Sequence, residues 1–264
     1  MMRNGPLSLV FHAVFVAFTA APLVAVMLVS FTDKGYMAMP FSGASLRWYV
    51  ALIDAPHFLD AFITSLWLGA ISASLSLLLS LPAALAISRY RFVGRDAISA
   101  ALLSPLLIPH VVLGVAFLRF FTDFGINGTP AGLVAAHALI ITPYCLRLCL
   151  SAANSIDERI EQAAVSLGAK RRQVFTRITL RLILPGIVSG WVLAFIHSFD
   201  EVTMSAFLAS PSLMPLPVAL YHRIEDSIDP SVAAMSSLLI VMAVMAMVVI
   251  DRVYGLSRVF TGSR

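Results

Sequence analysis

AFITSLWLGAISASLSLLLSLPAALAIS, residues 61–88, runs without one charged side chain between Asp60 and Arg89. A helix over that stretch would rise about 42 Å at 1.5 Å per residue, past the roughly 30 Å hydrocarbon core of a bilayer. In lipid each backbone N–H and C=O has to be satisfied inside the segment, so helix is the expected state. Outward from it lie five more largely apolar stretches, at 7–31, 97–121, 131–150, 182–209 and 230–251. The chain is therefore expected to be an all-α integral membrane protein of about six transmembrane helices, with residues 1–264 forming a single transmembrane domain.

Composition agrees. Of 264 residues, 59% are hydrophobic and 12% charged, against about 25% charged in a soluble domain, and mean hydropathy is +0.91. The first stretch is longer than the roughly 7–15 residues of a signal-peptide core, and Pro22 and Met27 make no small-residue cleavage site, so a retained helix is expected. Positive residues resist translocation. With the N-terminus inside, Arg3, Arg89, Arg91, Arg95, the 147–181 segment, Arg252, Arg258 and Arg264 place 14 of the 18 basic residues on the inner side. Lys34, Arg47, Arg119 and Arg223 remain outside, and both termini are expected in the cytoplasm. This asymmetry accounts for the net charge of +4, which gives no support to a nucleic-acid role.

Ser65, Ser72, Ser74, Ser76 and Ser80 in the second stretch are small residues that let helices approach and bond across an interface, so that span is expected to face protein on several sides. Pro82, Pro105, Pro109 and Pro143 each remove an intrahelical bond and permit a kink. His110 and His137 read as hydrogen-bonded packing residues. Cys145 and Cys149, one helical turn apart, read as small packing residues, with no metal site and no disulfide framework implied. Leu46, Trp48, Tyr49 and Leu52 have the spacing of a short amphipathic helix at the membrane surface.

The sizeable polar stretch between the fourth and fifth spans, residues 151–181, is the most informative. Ser155-Ile-Asp-Glu158 has the form of a capping box, with Asp157 well placed against the helix dipole. Ile156, Ile160, Ala163, Ala164 and Leu167 then recur at helical spacing, and Gly168 is a natural stop. A second, basic helix is expected to follow along the inner surface, with Val174, Phe175, Ile178 and Leu182 on one face. Such a pair could anchor to anionic lipid or dock a partner, and the residues alone leave both open.

The pattern resembles the EAA loop of ATP-binding-cassette importer permeases: Glu-Ala-Ala, three residues, Gly, nine residues, then Ile-x-Leu-Pro. Ala163, Ala164, Gly168, Ile178 and Leu180 fall on that register. Gln162 stands at the motif's glutamate, with Glu161 one residue earlier, and Arg181 stands at its proline, with Pro185 four residues on. Ser104–His110, Ser198–Glu201, and Leu216 through Pro230 are similar to the spermidine/putrescine subgroup of these permeases. The resemblance implies a type I importer permease fold with a cytoplasmic coupling-helix loop in a bacterial inner membrane, multi-pass. Glu161, Gln162, Ala163, Ala164 and Gly168 would form the ATPase-coupling site. The implied partners are an ATPase dimer, a second permease subunit of a different chain, and a periplasmic substrate-binding protein. No phosphate-cradling Gly-x-x-x-x-Gly-Lys-Ser/Thr occurs, so no cofactor is expected on this chain, and ATP with Mg belongs on the partner. No catalytic set is present: Ser/His/Asp, His-Glu-x-x-His and clustered metal ligands are all missing from the sequence.

Asp200 and Glu201 interrupt the fifth span. A carboxylate at mid-span costs roughly 2.5–3.5 kcal/mol on insertion scales, so such groups face a cavity, a partner or a function. On a continuous helix Asp200 shares a face with Ile196, Thr203 and Met204, and Glu201 with His197 and Ser205. At least one of them, with Phe195 or Phe199 nearby, is expected to attract a cationic substrate. Two alternatives stay open: the acids cap a broken helix or pair with an arginine of the second permease. An ion-coupled transporter or channel using Asp200 and Glu201 as a relay is the competing functional class.

Overall fold

Of the two charges that bracket the opening stretch, Arg89 marks a helix end and Asp60 lies within the first turns: Pro56–Arg89 is one helix of 34 residues. The computed structural model describes residues 5–40, 43–54, 56–227 and 229–254; Arg3, Ile228, Arg258 and Arg264 lie outside the described residues. Its helices, in chain order, are α1 (Pro6–Val29), α2 (Arg47–Ile53), α3 (Pro56–Arg89), α4 (Arg95–Leu103), α5 (His110–Asp123), α6 (Pro130–Asn154), α7 (Glu158–Ser166), α8 (Arg171–Val174), α9 (Leu180–Phe199), α10 (Ser205–Leu208), α11 (Leu216–Asp226) and α12 (Pro230–Tyr254). A 3₁₀ turn, Ser104–Leu107, follows α4, and a π turn, Phe175–Thr179, joins α8 to α9.

By length and composition, α1, α3, α6 and the continuous Arg171–Phe199 helix can each cross a membrane. Arg95–Leu107 with His110–Asp123 adds a fifth candidate, bent by 104°. In α12 the described apolar stretch, Pro230–Met245, is shorter. The count among the described residues is therefore four or five, against about six expected.

The chain divides into two compact units, one drawn from residues 1–59 and 220–264 and the other from 60–219. In the first, α1 and α2 pack on α12. Tyr49 ties them: its hydroxyl lies 2.6 Å from Ser30 Oγ and donates to Ser237 Oγ at 3.1 Å. The short amphipathic helix thus exists, with Leu52 buried. Leu46 is exposed.

The second unit is built on α6, whose apolar window is 61% buried. Ser65, Ser72, Ser76 and Ser80 form one buried stripe on α3, with Ser72 and Ser80 donating to the Val134 and Thr142 carbonyls of α6. Ser74, on another face, accepts from Trp191 Nε1 of α9 at 3.0 Å, so α3 meets both α6 and α9, while Ile71, Leu75, Leu78 and Leu79 are exposed. Helix α9 also packs on α6, and glycine sets the approach. A Cβ on Gly186 would overlap that of Ala152, and Cys145 Sγ sits 3.3 Å from the Gly190 carbonyl. Both cysteines are free and buried, packing residues at a small-residue helix seam.

Helix α6 holds 25 residues, about 37 Å at 1.5 Å per residue, and so defines two ends. Arg89 meets Glu161 at one, which brings the α3–α4 corner to the 155–170 loop. Ser210 Oγ meets the Gly128 carbonyl at the other.

Candidate functional site

Two places in the second unit carry the residues singled out in the sequence, one at each type of discontinuity: a loop helix and a broken span.

The loop helix α7 begins two residues later than the sequence suggests. Its N-cap is Asp157, whose side chain accepts from the Arg159 N–H at 2.9 Å. Ser155 instead closes α6, donating to the Ala152 carbonyl, because α6 continues to Asn154 and leaves Ser155 no role in the next helix. Gly168 ends the segment at φ +88°, the left-handed conformation that glycine adopts without strain. The expected second surface helix is not separate: α8, the π turn and α9 form one continuous helix, started where Gln173 Oε1 accepts the Lys170 N–H.

The apolar side of α7 turns outward. Ile160, Ala163 and Leu167 are exposed, Leu167 by 89%. Gln162 is exposed and Ala164 half-buried. Glu161 points inward, its Oε1 accepting from Arg89 Nη2 at 3.2 Å and from Thr179 Oγ1 at 2.9 Å. Arg89 Nη1 also approaches Glu158 Oε1 at 3.8 Å. Of the five coupling candidates, Gln162, Ala163 and Gly168 lie on the open surface, and Glu161 lies on the bonded side.

The broken span corrects the continuous fifth helix expected over 182–209. Helix α9 stops at Phe199 and Asp200 is its C-cap. The chain then turns before α10, so Asp200 and Glu201 do not share faces with Thr203, Met204 or Ser205 on one helix. A polar cluster holds this turn. His137 on α6 lies 2.8 Å from Ser198 Oγ through Nδ1 and 2.8 Å from Ser205 Oγ through Nε2, bridging the residues on either side of the break. Glu201, 7% exposed, accepts the Met204 N–H on Oε1 at 2.7 Å, while Oε2 lies 2.6 Å from His110 Nδ1. His110 opens α5 just past Pro109, so one carboxylate joins the 104° break in the third span to the break in the fifth. The seam is tight: a Cβ on Gly114 would lie 2.6 Å from the Phe207 ring.

Asp200 is exposed beside this cluster. Leading to it along α9 are Trp191, Phe195 and Phe199, with centroids 5.5 and 6.0 Å apart, and Phe62 meets Phe199 edge-on at 6.1 Å. Phe195 rests on Gly69 of α3, whose added Cβ would lie 3.0 Å from the ring. The structure thus keeps Phe199 and Asp200 together and separates Glu201 from them. Sequence reading missed His110 as the partner of Glu201, and Arg89 and Thr179 as partners of Glu161. The shift of the glutamate from position 162 to 161 was the available signal for the second.

This arrangement of broken spans around a central helix, with a short helix presented at one end, is that of a transport permease. The chain belongs to the family of binding-protein-dependent transport system inner membrane components, matched over residues 76–258. It is 31% identical over 242 residues to the spermidine/putrescine transport system permease protein PotC of Haemophilus influenzae, covering 92% of this chain and 93% of that one. It is 30% identical over 230 residues to the putrescine transport system permease protein PotI of Escherichia coli, covering 84% and 82%. The molybdenum transport system permease protein ModB of Mycobacterium bovis is 33% identical over 234 residues, covering 81% and 88%. In fold the chain is similar to a bacterial ABC transporter involved in import of the acidic polysaccharide alginate, with TM-score 0.77 and 17% identity over 94% of this chain and 95% of that one.

Proposed function

We propose that this chain converts the closure of a separate ATPase dimer into import of a polyamine or related organic cation, handed over by a periplasmic binding protein. The observation that carries the reading is α7, which offers Ile160, Ala163 and Leu167 to the outside at a glycine corner. An exposed apolar strip on a short helix favours a protein groove as its occupant. ATP and Mg would sit on the ATPase, with no cofactor on this chain, and a second, different permease chain would complete the pathway. The charge distribution supports a bacterial inner-membrane protein with both termini in the cytoplasm.

The cargo reading rests on Asp200, exposed at the end of the Trp191–Phe195–Phe199 series. A carboxylate and aromatic faces together stabilise an ammonium group, each ring by about 0.5–2 kcal/mol. The names of PotC and PotI favour polyamines, that of ModB does not, and an exposed acid beside aromatic rings supports the amine. Glu201 has both oxygens engaged and leaves Asp200 to face cargo.

Three measurements test these readings. The ligand that co-purifies with the cognate binding protein should be an aliphatic amine, and Asp200→Asn should lower its uptake about tenfold at unchanged expression. An anionic ligand, or normal uptake by Asp200→Asn, refutes the cargo reading. Deleting Asp157–Gly168 should release the ATPase; an unchanged complex refutes the docking reading.

A further inference from the structure

The carboxylate of Glu161 is the point where three segments meet. Arg89 is the last residue of α3, Thr179 is the last residue of the π turn that leads into α9, and both donate to the same oxygen, Oε1. The contact is sheltered: the Arg89 side chain is 13% exposed and that of Glu161 21%, and Thr179 is buried. The π turn places it there. An i→i+5 turn inserts one residue into the helix and rotates the residues beyond it, and such turns recur at functional positions.

The rest of α7 lies mostly on the surface, with Glu158 also approaching Arg89 at 3.8 Å. The helix has nine residues, below the roughly 12–15 at which an isolated helix is even marginal. It leaves α6 through a short link and ends at Gly168, where an added Cβ would meet nothing within 4 Å. A push on its outer face would tilt such a helix about its two ends unless something inside resisted.

We propose that Glu161 is that internal strut: a positioning residue that passes displacement of α7 to α3 through Arg89 and to α9 through Thr179, rather than a contact residue for the ATPase. The inference rests on the reading of α7 as the ATPase dock. Gln162, the neighbour that occupies the motif's acidic position, is the one left on the open surface.

The test uses the complete transporter in proteoliposomes and reads ATP hydrolysed per cargo molecule imported, together with ATPase retention. Glu161→Ala and Arg89→Ala should keep the ATPase bound and continue hydrolysis, while ATP used per import rises about tenfold. Exchanging the charges, Arg89→Glu with Glu161→Arg, should restore much of the coupling. Arg91→Ala, an exposed arginine at the same corner, should leave the ratio unchanged. Thr179→Val, nearly the same shape without the donor, should raise it by a smaller factor and serves if the other variants fail to assemble. If Glu161→Ala instead strips off the ATPase while residual complexes stay coupled, or if Thr179→Val and Arg89→Ala both leave the ratio unchanged, the strut is refuted. Failure of the dock itself reads differently: Leu167→Cys would not cross-link to the ATPase even in the otherwise unaltered chain.

Discussion

Glu161 and Glu201 perform the same geometric act in opposite surroundings. Each carboxylate joins two elements that the chain separates widely, Glu161 with Arg89 across the loop end and Glu201 with His110 across two broken spans. Glu161 sits on a half-sheltered surface against a guanidinium that is always charged. Glu201 is 7% exposed and also caps its own turn through the Met204 N–H. Burial decides what losing each would mean. A half-exposed carboxylate gives up its bonds to water, whereas removing a buried one strands its donors in a medium that offers no substitute.

The contrast in burial predicts the largest loss for Glu201→Ala, about 3–5 kcal/mol of stability, read as thermal unfolding of the purified permease complex. His110→Gln, which keeps a donor within reach, should cost less. If Glu201→Ala costs no more than Glu161→Ala, that contrast is wrong. Next in size is Gly114→Ala, which drives a methyl into the Phe207 ring and Met204 backbone and should cost about 1–3 kcal/mol by overpacking. Phe207→Ala in the same chain should relieve most of that overlap. A smaller effect belongs to Glu161→Ala, about 1–2 kcal/mol for a charge-assisted bond discounted for partial exposure, with its main readout in coupling rather than in unfolding.

Asp229 extends the series to the first unit. It accepts from the Ser231 N–H at 2.9 Å, from the Ser231 hydroxyl and from Arg223, at the start of α12. Burial pushes its pKa up, but the Ser231 bonds and the Arg223 charge outweigh that and hold it below its ordinary value of 3.8. A depressed folded-state pKa gives a contribution that is complete above the ordinary aspartate range and fades as pH falls through the lowered value. Asp229→Asn keeps an acceptor for Ser231 but loses the charge facing Arg223, so it should remove up to about 1 kcal/mol at neutral pH and flatten that acid dependence, measured by unfolding between about pH 6 and pH 2.

Much of this is legible in the sequence because it depends on one-dimensional signals. The apolar run from 61 to 88 announces α3, the glycine at 168 announces the corner, and the register of Ala163, Ala164 and Gly168 announces the loop. The start of α7 is displaced by two residues from the sequence expectation because Ser155 and Asp157 are both capable caps, and the choice depends on where α6 ends. The fifth span reads as continuous because no glycine or proline marks residues 199–204. Its break is stabilised by His137, which lies on a different helix and bonds both flanking serines.

The sequence by itself determined that this chain is a helical membrane protein, which stretches are apolar, and that a capped amphipathic helix interrupts them, since hydropathy, periodicity and capping are local properties of neighbouring residues. Only the tertiary structure decided that Glu161 turns inward to Arg89 and Thr179 while Gln162 faces out, and that Glu201 is taken by His110 while Asp200 stays open. These are choices between adjacent residues about 100° apart on a helix or turn, and they are settled by what packs against each side.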